Sequence, residues 1–364
     1  MSAAGSMRAV VYDRPGSFTI AEVPRPVAGA GEVLLRVLVA GVCGTDLHLH
    51  HGEFGPSYPL TPGHEFVGEV IAHGPGVAGP AIGSRVVVDN TAACGRCVEC
   101  RRQRPAFCRH LVAQGVNAPG GFAEYVVTDA DRCFDIGELD PFVAVFTEPT
   151  ACVVHGLDVL ALDPGAHVLL FGAGPTGIIL GQLLARSGAG SLTVAAPSAH
   201  KLEYVAARGA DRTVLVDRSE LPAARTAALQ ALAELTGSDV DPATAGMLGG
   251  DGFDVVIDAT GSPEVLAMAP SLVRVGGTIF VYGMTREAAG WPLAPYDVFR
   301  RELTIKGSFA QQYSFDRALD ALRTARVDTD GMITHRFGIE DYGAALEAVA
   351  DSASIKTVIV PGGL

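Results

Sequence analysis

The run Val168-Leu-Leu-Phe171 passes directly into Gly172-Ala-Gly174-Pro175-Thr176-Gly177, which opens a helical stretch reaching about Ser187. A strand handed to a helix through glycines at this spacing predicts one unit of a parallel, doubly wound sheet. Gly172 permits the tight turn, Gly174 lets a pyrophosphate approach the backbone, and Gly177 lets the helix lie close to the strand. Pro175 suits the first helical position, where its missing N–H would have no partner anyway. The same six residues therefore predict a dinucleotide site.

The chain has 364 residues, 48% of them hydrophobic, enough for about two cores. Up to residue 153, short alternating or β-branched runs (Glu32 to Val39, Phe66 to Ala72, Arg85 to Val88, Ala123 to Thr128) are bounded by Gly and Pro. They predict a β-rich, loop-rich first domain, 1–153. From 154 to 295, apolar runs at Val168 to Phe171, Leu192 to Ala196, Thr213 to Val216, Val255 to Asp258 and Thr278 to Tyr282 alternate with helical stretches. That alternation predicts an α/β domain whose sheet is covered on both faces. The segment 296–364 returns to mixed character, with helical stretches near 314–325 and 341–351 and a last strand, Lys356 to Val360. It is expected to rejoin the first domain.

At the end of the second strand of a dinucleotide fold an acidic residue normally holds the adenosine ribose diol. Here the sequence reads Ala195-Ala196-Pro197-Ser198, with His200 and Lys201 close behind. With no carboxylate to repel a 2′-phosphate, NADP is expected over NAD, although no arginine stands in the usual clamping place.

Four of the seven cysteines, Cys94, Cys97, Cys100 and Cys108, crowd into one loop. Two CxxC steps and a fourth thiol close behind suit a tetrahedral zinc with no open position, so the lobe is expected to be structural. Two disulfides are the competing reading. The first residues, MSAAGSMRAV, show no basic segment followed by a sustained apolar one, and the apolar stretches are expected to be broken by Gly and Pro before they could span a bilayer. The chain thus reads as cytoplasmic, with reduced thiols and no membrane partner. A formal net charge of −13 argues against a nucleic-acid partner, despite the arginines of the lobe.

A second metal with open coordination is expected upstream. Cys43-Gly44-Thr45-Asp46-Leu47-His48 is followed by Pro62-Gly63-His64-Glu65, and thiolate and imidazole are both good zinc ligands. A catalytic zinc needs a third protein ligand and one free position. Glu148, in FTEPTACVVHG, is the expected third ligand; Glu65 competes for the place, or acts around the ligands or by exchange with Glu148.

Taken in order, the Cys43 to His48 motif, Gly63-His64-Glu65, the four-cysteine lobe and the Gly172 to Gly177 turn make the chain resemble the zinc-dependent medium-chain alcohol dehydrogenase family, from Met7 to the C-terminus. The resemblance implies a GroES-like catalytic domain whose cleft, holding the reactive zinc, faces a Rossmann domain. It implies that Cys43 and His64 ligate that zinc, that Asp46 orients His64, and that Thr45 with His48 relays a proton. Zinc supplies a Lewis acid that lets an alcohol lose its proton near neutral pH, and hydride then passes to the nicotinamide.

Glu148-Pro149 and Arg301-Glu302 resemble the polyol and sugar dehydrogenase branch, in which the arginine lies near substrate hydroxyls. A polyol is therefore the expected substrate. Gly63 to Val70 and Gly115 to Tyr125 also resemble the threonine dehydrogenase branch, which implies amino-alcohol oxidation as the alternative. Lys356 resembles a basic residue that approaches the cofactor pyrophosphate. A homodimer or homotetramer is implied by the family. A reading of another class, a non-enzymatic NADP(H)-binding zinc protein, is disfavoured by the Thr45 and His48 pair, which a binder does not need.

Overall fold

The computed structural model describes residues 5–363 except 218, 238–239, 241–244 and 246–250, so the first four residues of the N-terminal stretch read for a leader lie outside it. The chain divides into two compact units, one of residues 1–151, 311–325 and 329–364, the other of residues 152–310 and 326–328.

The second unit is built on six parallel strands. Their order across the sheet is Arg212–Leu215, Ser191–Ala196, His167–Phe171, Phe253–Asp258, Val273–Val281 and Thr304–Gly307. This is the doubly wound order, in which the chain reverses direction across the sheet after its third strand. His167–Phe171 and Phe253–Asp258 are neighbours at that reversal. Ser191–Ala196 is buried at every residue, as a strand covered on both faces must be. The unit runs to residue 310 rather than 295, because Thr304–Gly307 pairs with Val273–Val281 and adds the last strand. That strand is too short and too polar (Thr, Lys, Gly) to register as an apolar run.

The first unit is a β-rich body. Its main sheet orders Ile333–Gly338, Lys356–Val360, Glu32–Val42, Glu65–His73, Arg85–Val88 and Cys133–Asp135, with Tyr125–Asp129 also paired to Glu32–Val42. Apolar residues alternate inward to form a core around Val10, Leu35, Phe66, Val86, Phe122 and Tyr342. The C-terminal strand does rejoin this sheet, pairing antiparallel with Glu32–Val42 at Thr357–Val42, Val358–Gly41 and Ile359–Ala40. Glu65 lies opposite the same Gly41 from the other side. Register alone thus brings three distant segments to one point.

The stretch Pro141–Leu160 is helical and, by length and composition, apolar enough to cross a membrane, contrary to the expectation that Gly and Pro cut every such run short. Pro149 and Gly156 are accommodated within the Thr147–Leu160 helix. Its buried face explains the apolarity, since every residue from Ala144 to Ala151 is buried inside the protein.

Two phenols lie in the core of the first unit. The Tyr12 hydroxyl is 3.2 Å from that of Tyr342 and 2.9 Å from His50 Nδ1. Burial raises both phenol pKa values above 10, and the nearby Asp46 charge adds to it. Unfolded phenols ionise near 10, so above that pH the unfolded chain binds fewer protons than the folded one and stability falls as pH rises. Urea midpoints should therefore decline from about pH 10 upward, each phenol adding a slope of about 1.4 kcal/mol per pH unit. Tyr342→Phe should flatten that decline; an unchanged slope would refute the account.

Candidate active site and metal centres

Cys43 directly follows the Glu32–Val42 strand and caps the Gly44–His50 helix, while His64 stands immediately before the Glu65–His73 strand. One ligand atom from each of Cys43, His64 and Glu65 lies within 4.8 Å of the others. His64 Nε2 is 4.0 Å from Glu65 Oε1, and that oxygen is buried without a hydrogen-bond partner. A thiol, an imidazole and an unsatisfied carboxylate oxygen converging on one point make a donor set that fits Zn2+.

Asp46 serves both sequence motifs at once. Its Oδ2 accepts from the Cys43 amide at 2.8 Å, and its Oδ1 faces His64 Nδ1 at 3.8 Å. The separation exceeds a hydrogen bond, so the orientation of His64 by Asp46 expected from sequence is electrostatic here. Burial pushes the Asp46 carboxyl up to about 6, against the pull of His64 and of the Cys43 amide. Burial alone would lower the His64 pKa; the hydrogen bond to Cys43 and the charges of Asp46, Cys43 and Glu148 outweigh it and hold the value well above 6.5.

Glu148, expected as the third ligand, sits in the first turn of Thr147–Leu160, where its charge reaches His64 and Lys356 without joining the tight donor group. Glu65 takes the nearer position because it directly follows His64 and enters the sheet opposite Gly41. A Cβ at Gly41 would stand 2.1 Å from Glu65 Oε2 and 2.9 Å from Lys356 Cε, so only glycine leaves room for both.

Lys356 is the clearest departure from the sequence reading. It is 2% exposed, and its Nζ donates to Glu65 Oε2 in a buried ion pair instead of standing open to a pyrophosphate. Burial disfavours its charge, yet Glu65, Cys43 and Glu148 raise its pKa overall. Arg301 is a second departure. It ends the Pro295–Arg301 helix at 5% exposure, and its guanidinium donates to the Pro270 and Val273 carbonyls, so it braces the second unit instead of facing substrate hydroxyls.

The four lobe cysteines also form one cluster. Cys97 Sγ lies 3.5 Å from Cys100 Sγ and 3.9 Å from Cys108 Sγ. A disulfide needs about 2.0 Å, whereas thiolates about 2.3 Å from a tetrahedral zinc stand about 3.8 Å apart. All four are free cysteines, which removes the disulfide reading. Backbone N–H groups of Cys100 and Arg109 lower the Cys97 thiol pKa, while desolvation and the neighbouring thiols raise that of Cys100.

In the second unit Gly172 takes φ +112°, and a Cβ on Gly177 would meet Gly172 O at 2.2 Å, which explains two of the three glycines. Gly174 caps the Pro175–Leu184 helix with open space at its α-carbon. Thr176 is half-buried in the first helical turn. Beside the strand ends is a cavity of about 310 Å³ lined by Phe171, Ala196, Pro197, Thr260 and Ser262 among others. Ser198 Oγ meets His200 Nδ1 at 2.9 Å on the exposed edge of the same region, where Lys201 is half-buried.

On the Gly44–His50 helix, Thr45 Oγ1 lies 3.8 Å from Cys43 Sγ, and His48 is half-buried one turn on. Sequence reading missed the partner of His48: its Nδ1 pairs with Glu53 Oε2. Only Gly52 and Gly55, which mark a chain reversal, hinted at it.

A doubly wound dinucleotide sheet and a thiolate, imidazole and carboxylate centre in one chain define a metal-dependent dehydrogenase. Residues 29–138 match the alcohol dehydrogenase GroES-like domain, and residues 175–324 match the zinc-binding dehydrogenase domain. D-arabinitol dehydrogenase 1 of Uromyces fabae is 39% identical, covering 98% of this chain and 97% of its own. D-altritol 5-dehydrogenase of Agrobacterium fabrum is 33% identical, covering 92% and 94%. A solved structure from Sinorhizobium meliloti 1021, described as a zinc-binding dehydrogenase bound to NADP, superposes with a TM-score of 0.85 at 33% identity, covering 98% and 100%. The chain belongs to the zinc-dependent medium-chain alcohol dehydrogenase family.

The Lys356–Glu65 pair gives a direct test. Removing one partner of a buried pair strands the other charge, at a cost of about 3–5 kcal/mol. Lys356→Met should lower the apo protein's stability by that order in urea unfolding, and Lys356→Met with Glu65→Leu should recover most of it. A single variant as stable as the parent would exclude a desolvated pair.

Proposed function

We propose that this dehydrogenase oxidises a secondary hydroxyl of a polyol or sugar alcohol, passing hydride to NADP in preference to NAD. The observation that carries the reading is the Cys43, His64 and Glu65 donor group with its unsatisfied carboxylate oxygen, in a chain similar to D-arabinitol and D-altritol dehydrogenases. Cys43, His64 and Glu65 would hold the catalytic zinc, with Glu148 as an alternate donor, and Cys94, Cys97, Cys100 and Cys108 a structural one. When bound, the catalytic metal supplies a Lewis acid that lowers the pKa of the substrate hydroxyl.

The chain's own residues supply the rest. Thr45 and His48, three residues apart on one helix, share a face, so the Thr45 hydroxyl can hand the substrate proton toward His48 and on to water. Asp46 and the Lys356–Glu65 pair hold the donors in place. Gly172 to Gly177 receives the pyrophosphate. Absence of an acid after Ala196, together with Ser198, His200 and Lys201, favours a 2′-phosphate, and the NADP-bound relative supports that choice. The seven free cysteines suit a reducing cytoplasm, and likeness to the family suits a homodimer or homotetramer.

Metal analysis should find two zinc ions per chain, falling to one in Cys43→Ser, with turnover lost by more than about a thousandfold and the fold kept. Cys97→Ser should lose thermal stability first. Turnover at the parental rate in Cys43→Ser shown to lack the second ion would refute the catalytic assignment. Across C3 to C6 polyols, their phosphates and L-threonine, a pentitol or hexitol with NADP should give the highest kcat/KM. Threonine as the best substrate would overturn the substrate class, and a tenfold preference for NAD would overturn the cofactor choice.

A further inference from the structure

We propose that Glu53 is a positioning residue for proton release, fixing His48 in the tautomer that carries its proton on Nδ1 and leaves the Nε2 lone pair free. The proposal rests on the relay reading above and names the group that makes His48 able to serve in it.

The segment after the Gly44–His50 helix is folded back to meet the imidazole. Glu53 N donates to the His48 carbonyl at 2.9 Å, and Gly52 N to Leu49 O at 3.0 Å, so the chain reverses within one turn of the helix end. The reversal puts Glu53 Oε2 on His48 Nδ1. The next residue, Phe54, adopts φ +69°, a left-handed conformation that a residue with a side chain rarely takes. Its ring meets the His48 ring edge-on, with centroids 6.1 Å apart and planes at 84°. Glu53 and Phe54 therefore hold the same imidazole, one by a charge-assisted hydrogen bond and the other by its ring.

His50, two residues on, is engaged elsewhere: its Nδ1 bonds Tyr12, and its ring meets that of His51. A carboxylate is an acceptor only, so the bond to Nδ1 requires the proton there, and in the neutral ring Nε2 is then the acceptor. The step then balances. The substrate hydroxyl proton passes to Thr45 Oγ1 as the Thr45 proton passes, through an intervening water or hydroxyl, to His48 Nε2. A bound oxidised nicotinamide would take the C–H hydrogen with its electron pair, and Nε2–H would give its proton to water. In Glu53→Gln the side-chain amide can either accept from or donate to Nδ1, so the variant no longer enforces this tautomer.

The test uses the holoenzyme with 15N-labelled histidine and the variants Glu53→Gln, His48→Gln and the double variant. In the parent, the resonances lost in His48→Gln should report a neutral ring protonated at Nδ1; a ring protonated at Nε2 would overturn the proposal even without a folded variant. Glu53→Gln should lower kcat about tenfold to a hundredfold with KM within about twofold, and the double variant should be no slower than His48→Gln. His48→Gln at the parental rate would sink the relay reading itself. An impaired His48→Gln beside an unimpaired Glu53→Gln would sink only the role of Glu53. Additive losses in the double variant would also overturn it, since they would mean that Glu53 acts apart from His48.

Discussion

The buried contact between Lys356 and Glu65 is the constraint around which the Cys43, His64 and Glu65 donor group is arranged. An ammonium and a carboxylate cannot be taken out of water singly, and even together they repay the loss only when geometry and further partners are good. Here the geometry comes from the sheet. Gly41 lies opposite Glu65 on one side and Val358 on the other, so any error in either register would separate the two charges. Glu65 Oε2 is held by Lys356, leaving Oε1 turned toward His64. Cys43 leaves the same central strand one residue past its end and is fixed by the Asp46 carboxylate through its amide.

Strand and helix existence was largely legible in the sequence because burial imposes period on residues that pack. All ten strands read as apolar or alternating runs recur, nine of them with both ends within three residues of those observed, Arg85–Val88 and Lys356–Val360 among them. Thr304–Gly307 was not legible because its four residues, TIKG, hold only one large apolar side chain, whereas the equally short Arg85–Val88 holds three valines. The family likewise followed from motifs, since metal ligands and phosphate turns need particular residue types at particular spacings.

Long-range pairing was the part that residue type could not reveal. Lysine near a nucleotide protein's C-terminus suggests a phosphate partner, and nothing local to Lys356 announces a carboxylate 291 residues away. Arg301 misled in the same way: a cation in a motif suggests a ligand, yet backbone carbonyls of Pro270 and Val273 satisfy it. That Glu65 rather than Glu148 groups with Cys43 and His64 depends on the register at Gly41, which sequence does not contain. Glu53 was hidden for a smaller reason, because the reversal that returns it to His48 depends on backbone angles at Gly52 and Phe54.

The first unit is drawn from both ends of the chain, with 159 residues of the second unit, Cys152–Ala310, between its largest pieces. During synthesis from the N-terminus, Cys43, His64 and Glu65 emerge long before Lys356 exists. Until then the Glu65 side chain has no counter-charge to enter the core with, and the central strand has an open edge where Lys356–Val360 will pair. The buried pair cannot form from the part of the chain that carries Glu65 alone. It waits for Lys356, and in chain order every strand of the nucleotide-binding sheet is made before that residue.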